Sequence, residues 1–136
     1  MSYEEKGVWV ALVVNVAVTC GYIAVMIGQV GGADGPWVAM MLWAIGIAIV
    51  ASIVVRIGVE MIRPSDSYQS DDRDKDVNRR GEYVAGLVLG IAMTVPLALT
   101  LAEVSHFWIG NAMYAAFVVS AAVGATIKLV GYRRGV

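Results

Sequence analysis

Several ionisable side chains lie within or at the ends of long apolar stretches, where a charge is costly and each one is a candidate for a functional role. Arg56 and Glu60 are one helical turn apart, so they could form an ion pair or an ion-coupling gate. Glu103 and His106 are three residues apart, and a carboxylate beside an imidazole could bind protons or one metal ion. Two ligands are fewer than a zinc site requires, so no metal site is predicted.

Two amide side chains, Asn15 and Asn111, are also placed in apolar segments, and we expect each to seek a hydrogen-bond partner on another helix. An alternative is a polar path through the protein. Its candidate residues are Asn15, Arg56, Glu60, Glu103, His106 and Asn111. The simpler interpretation, in which Arg56 reaches the lipid headgroups and the other ionisable groups are interfacial, stays open.

The composition indicates a protein whose solvent is lipid. Of the 136 residues 59% are hydrophobic and 15% charged, and the mean hydropathy is +0.72. Four apolar segments predict transmembrane helices over about 7–30, 37–62, 83–101 and 107–132. Pro96 is expected to kink the third. The acidic N-terminus and the length of the first segment indicate a retained helix rather than a cleaved signal peptide.

The basic residues predict the orientation of these helices. All of them lie at the termini, in residues 63–82, or at helix ends next to these, and neither short connection carries one. By the positive-inside rule, both termini and residues 63–82 are cytoplasmic. The basic residues are Lys6, Arg56, Arg63, Arg73, Lys75, Arg79, Arg80, Lys128, Arg133 and Arg134.

The two halves of the chain resemble each other. Residues 7–11, Gly-Val-Trp-Val-Ala, align with residues 81–85, Gly-Glu-Tyr-Val-Ala, and downstream Trp37 aligns with Trp108. This pattern predicts an all-α four-helix bundle made of two transmembrane hairpins in a parallel repeat. A chance likeness between two apolar hairpins remains the alternative.

Two pairs of small residues have the spacing that lets helices approach closely. They are Gly86 with Gly90 and Ser120 with Gly124. We expect both pairs to pack inside the monomer, with a dimer interface as the second possibility.

The polar run over 63–82 separates the two halves. Helix three is predicted to begin near Ser70, with Asp71–Lys75 and Asp76–Arg80 spaced for ion pairs. We expect this run to contact anionic lipid or a cytoplasmic protein. The candidate contact residues are Asp71, Asp72, Arg73, Asp74, Arg79 and Arg80.

Residues 71–81, Asp-Asp-Arg-Asp-Lys-Asp-Val-Asn-Arg-Arg-Gly, resemble the charged loop of small bacterial membrane proteins of the DUF2178-like kind, although Asp72 stands where that loop has Glu. Residues 106–112 and 132–135 resemble the second hairpin of actinobacterial relatives. The resemblance implies a four-helix protein of the bacterial cytoplasmic membrane, often encoded beside a helix-turn-helix regulator, and it implies no activity.

We therefore expect a non-enzymatic, homo-oligomeric membrane scaffold or sensor without a cofactor and without direct nucleic-acid binding. No nucleophile with a base, phosphate-binding loop or cysteine cluster is present in the sequence. A small homo-oligomeric transporter or channel is the alternative. A redox or haem protein using His106 and methionines is a third possibility.

Overall fold

The regular structure is entirely helical in the described part of the chain. A computed structural model describes residues 3–29, 34–64 and 72–134. Four helices are long and apolar enough to cross a membrane, with mean hydropathies between 1.8 and 2.6 over their apolar stretches. The prediction of an all-α protein with four helices of this kind is confirmed. In chain order the helices are α1 (Tyr3–Gln29), α2 (Trp37–Ile62), α3 (Asp72–Ala92), α4 (Thr94–Leu101) and α5 (His106–Arg134), α3 and α4 together making the third long segment.

α2 shows why these sequences form helices. It is rich in Val and Ile, which have only modest helix propensity and favour strands in water. In an apolar solvent the backbone must satisfy its own hydrogen bonds, and a helix does so within one segment. The helix starts directly after Pro36, which lacks the N–H that a first turn leaves without an intrahelical acceptor. It spans the range predicted from the sequence.

The sequence predicts one domain, and by its internal contacts the chain divides into two compact units, Met1–Asp71 and Asp72–Val136. In the first unit α1 and α2 pack antiparallel: Lys6 near the start of α1 lies beside Glu60 near the end of α2, and Tyr22 lies beside Ala44 in the middle of the pair. Tyr22 and Ala44 are both buried. The parallel relation between the two hairpins stays a prediction.

In the second unit α3 packs antiparallel on α5 through small residues. Ser120 donates a hydrogen bond of 2.8 Å to the backbone carbonyl of Ala85 and is buried. A Cβ atom on Gly124 would lie 2.8 Å from the Cβ of Ala85 and 3.2 Å from the carbonyl oxygen of Gly81. Ser120 and Gly124 therefore let the two backbones approach, and their predicted packing inside the monomer is confirmed.

Within the second unit, Gly86 and Gly90 do not pack closely against another helix. Both are exposed, and a Cβ atom added to either would meet no other described atom within 4 Å. α3 turns a different face, through Gly81 and Ala85, toward α5. Packing inside the monomer and a dimer interface therefore both stay predictions for this pair.

Pro96 interrupts the third long segment, as predicted. α3 ends at Ala92 and α4 begins at Thr94, so the break lies about one turn before the proline. A proline ring clashes with the carbonyl four residues earlier, which here belongs to Ala92. The hydroxyl of Thr94 donates to the carbonyl of Ile91 at 2.7 Å, so a threonine supplies one of the hydrogen bonds at the break.

Replacing Gly124 with alanine should separate α3 from α5. The new methyl group would meet Ala85 and the backbone of Gly81, and overpacking of this kind costs about 1–3 kcal/mol. Gly86→Ala is the matched control, because it adds the same methyl group in open space and should leave the stability unchanged or raise it. The free energy of unfolding in mixed micelles, followed by circular dichroism, measures both. Equal losses for the two variants would show that this contact does not hold the helices together.

Candidate functional site

The charged end of the first unit is built around Lys6. Its ammonium group lies 3.6 Å from a carboxylate oxygen of Glu60 and also donates to the carbonyl of Arg63, at the C-cap of α2. The two side chains of the ion pair are only 12% and 17% exposed. Lys6 thus ties the start of α1 to the end of α2 and caps a helix end that carries partial negative charge. The predicted pairing of Glu60 with Arg56 is wrong, because Lys6 takes that position.

Arg56 instead lies against α1. Its guanidinium carbon is 4.5 Å from the centre of the Tyr3 ring, a cation–π contact. A Cβ atom on Gly7 would be 2.9 Å from this guanidinium carbon, so a larger residue here would displace the guanidinium. The Nε atom is buried without a hydrogen-bond partner among the described residues.

A cavity of about 640 Å³ opens beside Arg56. Its wall combines this cation and the Glu60 carboxylate with apolar side chains, among them Ile53 and Ile57 on the same face of α2. Such a wall fits a molecule that carries an anionic group next to an apolar chain.

The second unit repeats the contact between a glycine and a cation. The aliphatic stem of Lys128 on α5 crosses Gly81 on α3 so closely that a Cβ atom there would overlap it. Lys128 then extends its ammonium group to Glu82, 3.3 Å away, and its side chain is only 18% exposed. Gly81 is aligned with Gly7 in the sequence repeat, so the two halves share this feature as well as their sequence pattern.

The polar start of α3 satisfies most of its charges locally. Lys75 pairs with Asp72 at 2.9 Å, and Arg79 with Asp76 at 3.7 Å. Both pairs are spaced i,i+3, so the predicted i,i+4 pair between Asp76 and Arg80 is wrong; either spacing brings side chains together on a helix. The predicted start near Ser70, Asp71 as a contact residue and the Asp71–Lys75 pair fall outside the described residues.

Two of the predicted contact residues, Arg73 and Asp74, interact with or are partly buried in the second unit itself. The guanidinium of Arg73 donates to the carbonyl of Tyr132 in the last turns of α5, at 3.0 Å, and Asp74 is half-buried. Val77, the only apolar residue in the polar segment, is 3% exposed and packs against Gly131. These contacts fix the start of α3 on the end of α5, as Lys6 fixes α1 on α2.

Arg80 is left as a cation without an ion pair to any described carboxylate. It lines a cavity of about 220 Å³ with Arg134 and a second one of about 560 Å³ with Arg79. Apolar side chains of α3 and α5, including Val77 and Ile127, form the remaining walls. We call Arg79, Arg80 and Arg134, with the apolar residues between them, the basic face of the second unit.

At the opposite end of the second unit, Glu103 closes α4. It has a positive φ of 55°, while its N–H donates to Thr100 and the N–H of Val104 donates to Leu99. This is a Schellman motif with Glu in the left-handed position that glycine usually occupies, and such a conformation is costly for a residue with a Cβ atom. Glu103 and His106 are both exposed.

No group of three or more metal-ligating side chains occurs among the described residues. The amide nitrogen of Asn111 donates to the carbonyl of Phe107 in the same helix, at 2.8 Å, while Asn15 is half-buried in α1. The interhelical hydrogen bonds predicted for these amides, and the path through the six candidate residues, stay predictions.

Comparison with protein-family models, curated proteins and solved structures gives no match to this chain. The resemblance of residues 70–136 to DUF2178-like proteins therefore stays a prediction.

Sequence reasoning missed the contacts that organise the two charged ends. The contacts of Tyr3 with Arg56 and of Lys6 with Glu60 join residues far apart in the chain, so they depend on how α1 packs on α2. The aligned glycines at 7 and 81 carried a usable signal: a glycine at the same place in both halves, opposite a cation on the helix packed against it, indicates close approach of a side chain.

Removing the ammonium group of Lys6 should destabilise the first unit. Lys6→Met leaves the half-buried Glu60 without this partner and the α2 C-cap without its donor, and losing a hydrogen bond to a charged group costs roughly 1.5–3 kcal/mol. The free energy of unfolding in mixed micelles measures the loss. Lys75→Met, which removes an exposed ion pair, is the control and should cost less than about 1 kcal/mol. A similar small loss for Lys6→Met would contradict this role.

Proposed function

We propose that the chain is a non-enzymatic, four-span protein of a bacterial cytoplasmic membrane, a scaffold or sensor whose charged ends face the cytoplasm. The observation that carries the membrane assignment is the uncovered apolar surface. Only 6% to 22% of the residues in the apolar stretches of the four long helices are buried by protein. Soluble proteins rarely expose apolar patches of this extent, whereas a bilayer covers them.

The distribution of charge supports the orientation. In each helix pair the basic side chains gather at one end, around Lys6 and Glu60 in the first unit and around Arg73 and Lys128 in the second. The connections at the other end contain no basic residue. Because each unit contributes two spans, both units begin on the same side, which the positive-inside rule makes the cytoplasm.

Within this frame the basic face of the second unit is the surface that contacts a partner. Arg80 has no ion pair to a described carboxylate, and Arg79 and Arg134 are exposed beside apolar cavities. Cations around an apolar pocket complement either the headgroups of anionic lipids or an acidic, amphipathic segment of a cytoplasmic protein. The DUF2178-like resemblance favours a regulator as the protein partner.

Homo-oligomer formation belongs to this proposal. Gly86 and Gly90 present a surface on which a second helix backbone could lie closely. A second copy of the chain is the partner we favour for it, because the small residues of α5 are already used within the unit.

A transporter or channel is the second candidate. It is favoured by the two similar hairpins, each with an ionisable side chain held next to a glycine. A selective ion or solute flux into liposomes that contain the purified chain would support this candidate over a scaffold or sensor.

Reversing two charges on the basic face should release its partner. The wild-type chain, extracted from native membranes in a mild detergent, should retain anionic phospholipid or a cytoplasmic protein, and mass spectrometry identifies which. The double variant Arg79→Glu with Arg80→Glu should lose it. Lys75→Glu with Arg133→Glu changes the net charge equally outside this face and should retain it. If the first double variant keeps every partner of the wild type, this face is not the binding surface.

A further inference from the structure

Each half holds a cation against the aligned glycine, but the two cations are neutralised differently. In the second unit Glu82, the residue after Gly81, provides a carboxylate for Lys128. At the aligned position of the first unit, the residue after Gly7 is Val8, which has no charge.

Arg56 has no counter-ion of its own in the described protein. The nearby carboxylate of Glu60 lies 3.6 Å from Lys6, and Arg56 forms no ion pair with any described acid. The guanidinium lies over the ring of Tyr3, which covers one of its faces and leaves donors at its edge. The glycine at position 7 holds this cation close to α1.

The cavity beside Arg56 has both charged and apolar walls. Ile53 lies one turn from Arg56 on the same face of α2, away from the charged end of the helix pair, and Ile57 lies between Arg56 and Glu60. In the orientation proposed above, Ile53 is on the midplane side of Arg56. A phospholipid that placed its phosphate at Arg56 would lay an acyl chain along Ile53.

We propose that Arg56 and this cavity bind the phosphate of an anionic phospholipid from the cytoplasmic leaflet. The lipid supplies to Arg56 the negative charge that Glu82 supplies to Lys128. A guanidinium donates to phosphate through two parallel N–H groups, which gives this contact more directionality than an ammonium group would. This inference rests on the proposed membrane insertion, and it concerns a site in the first unit that is separate from the basic face.

Native mass spectrometry of the purified full-length chain tests the site. The chain is titrated in detergent with phosphatidylglycerol, with phosphatidylcholine and with inorganic phosphate. We expect one tightly retained phosphatidylglycerol, with phosphatidylcholine weaker and inorganic phosphate unable to displace the lipid. Arg56→Gln should weaken phosphatidylglycerol binding about tenfold, as expected for a charge-assisted hydrogen bond. Arg63→Gln, the same change at an exposed position near the end of α2, is the matched control and should bind as the wild type does.

Two further variants test the comparison between the halves. Val8→Glu places a carboxylate where the second unit has Glu82, so it should satisfy Arg56 internally and release the lipid. Glu82→Gln removes the counter-ion of Lys128 and should create a second retained phosphatidylglycerol. Circular dichroism and the elution volume in detergent check that each variant is folded, and an unfolded Val8→Glu leaves Glu82→Gln as the deciding variant.

Several results would overturn the inference. Equal losses for Arg56→Gln and Arg63→Gln would mean that general positive charge holds the lipid. Equal binding of phosphatidylcholine would remove the role of an anionic headgroup, and displacement by inorganic phosphate would make free phosphate the ligand. The proposed function is tested separately, by the orientation of the chain in the membrane. If that orientation is as proposed and any of these results is found, the proposed function stands and the lipid site at Arg56 is refuted.

Discussion

In each unit a cation of one helix lies against a glycine of the helix packed on it, and this contact organises the charged end of the unit. Gly7 admits Arg56, and Gly81 admits Lys128, in each case where a side chain would collide. Lys128 lays its apolar stem across Gly81 and extends its ammonium group to Glu82, whereas Arg56 places its guanidinium itself against Gly7. In both units the glycine leaves room for the cation close to the helix packed against it.

Other contacts at these ends follow the same principle. Lys6 reaches the C-cap carbonyl of Arg63, and Arg73 reaches the carbonyl of Tyr132, so in both units a cation of the first helix binds the end of the helix packed against it. These bonds place positive charge where a helix end is partially negative. Beyond them, the long helices expose mostly apolar side chains. Each unit thus separates a polar, internally bonded end from apolar helix surfaces.

The sequence predicted the helices well and the side-chain partners poorly, for physical reasons. The hydropathy and length of a segment indicate a long apolar helix almost independently of the neighbouring segments, so α2 occupies the predicted range. The break before Pro96 was likewise expected, because it depends only on the local effect of a proline. Partner choice depends on which helix faces are in contact. Glu60 had a plausible partner in its own helix, yet Lys6, far away along the chain, is the residue that α1 brings to it. The same dependence explains why Ser120 packs inside its unit while Gly86 does not.

Cysteine accessibility tests most directly whether the two charged ends share one side of a membrane. Cys20 is replaced by serine, and single cysteines are introduced for Arg63, Asp76, Asp34 or Ser105, all exposed in the structure. With a membrane-impermeant maleimide on intact bacterial cells, the cysteines at 34 and 105 should be labelled, and those at 63 and 76 only after the membrane is opened. Labelling of position 63 or 76 in intact cells would contradict the shared cytoplasmic face.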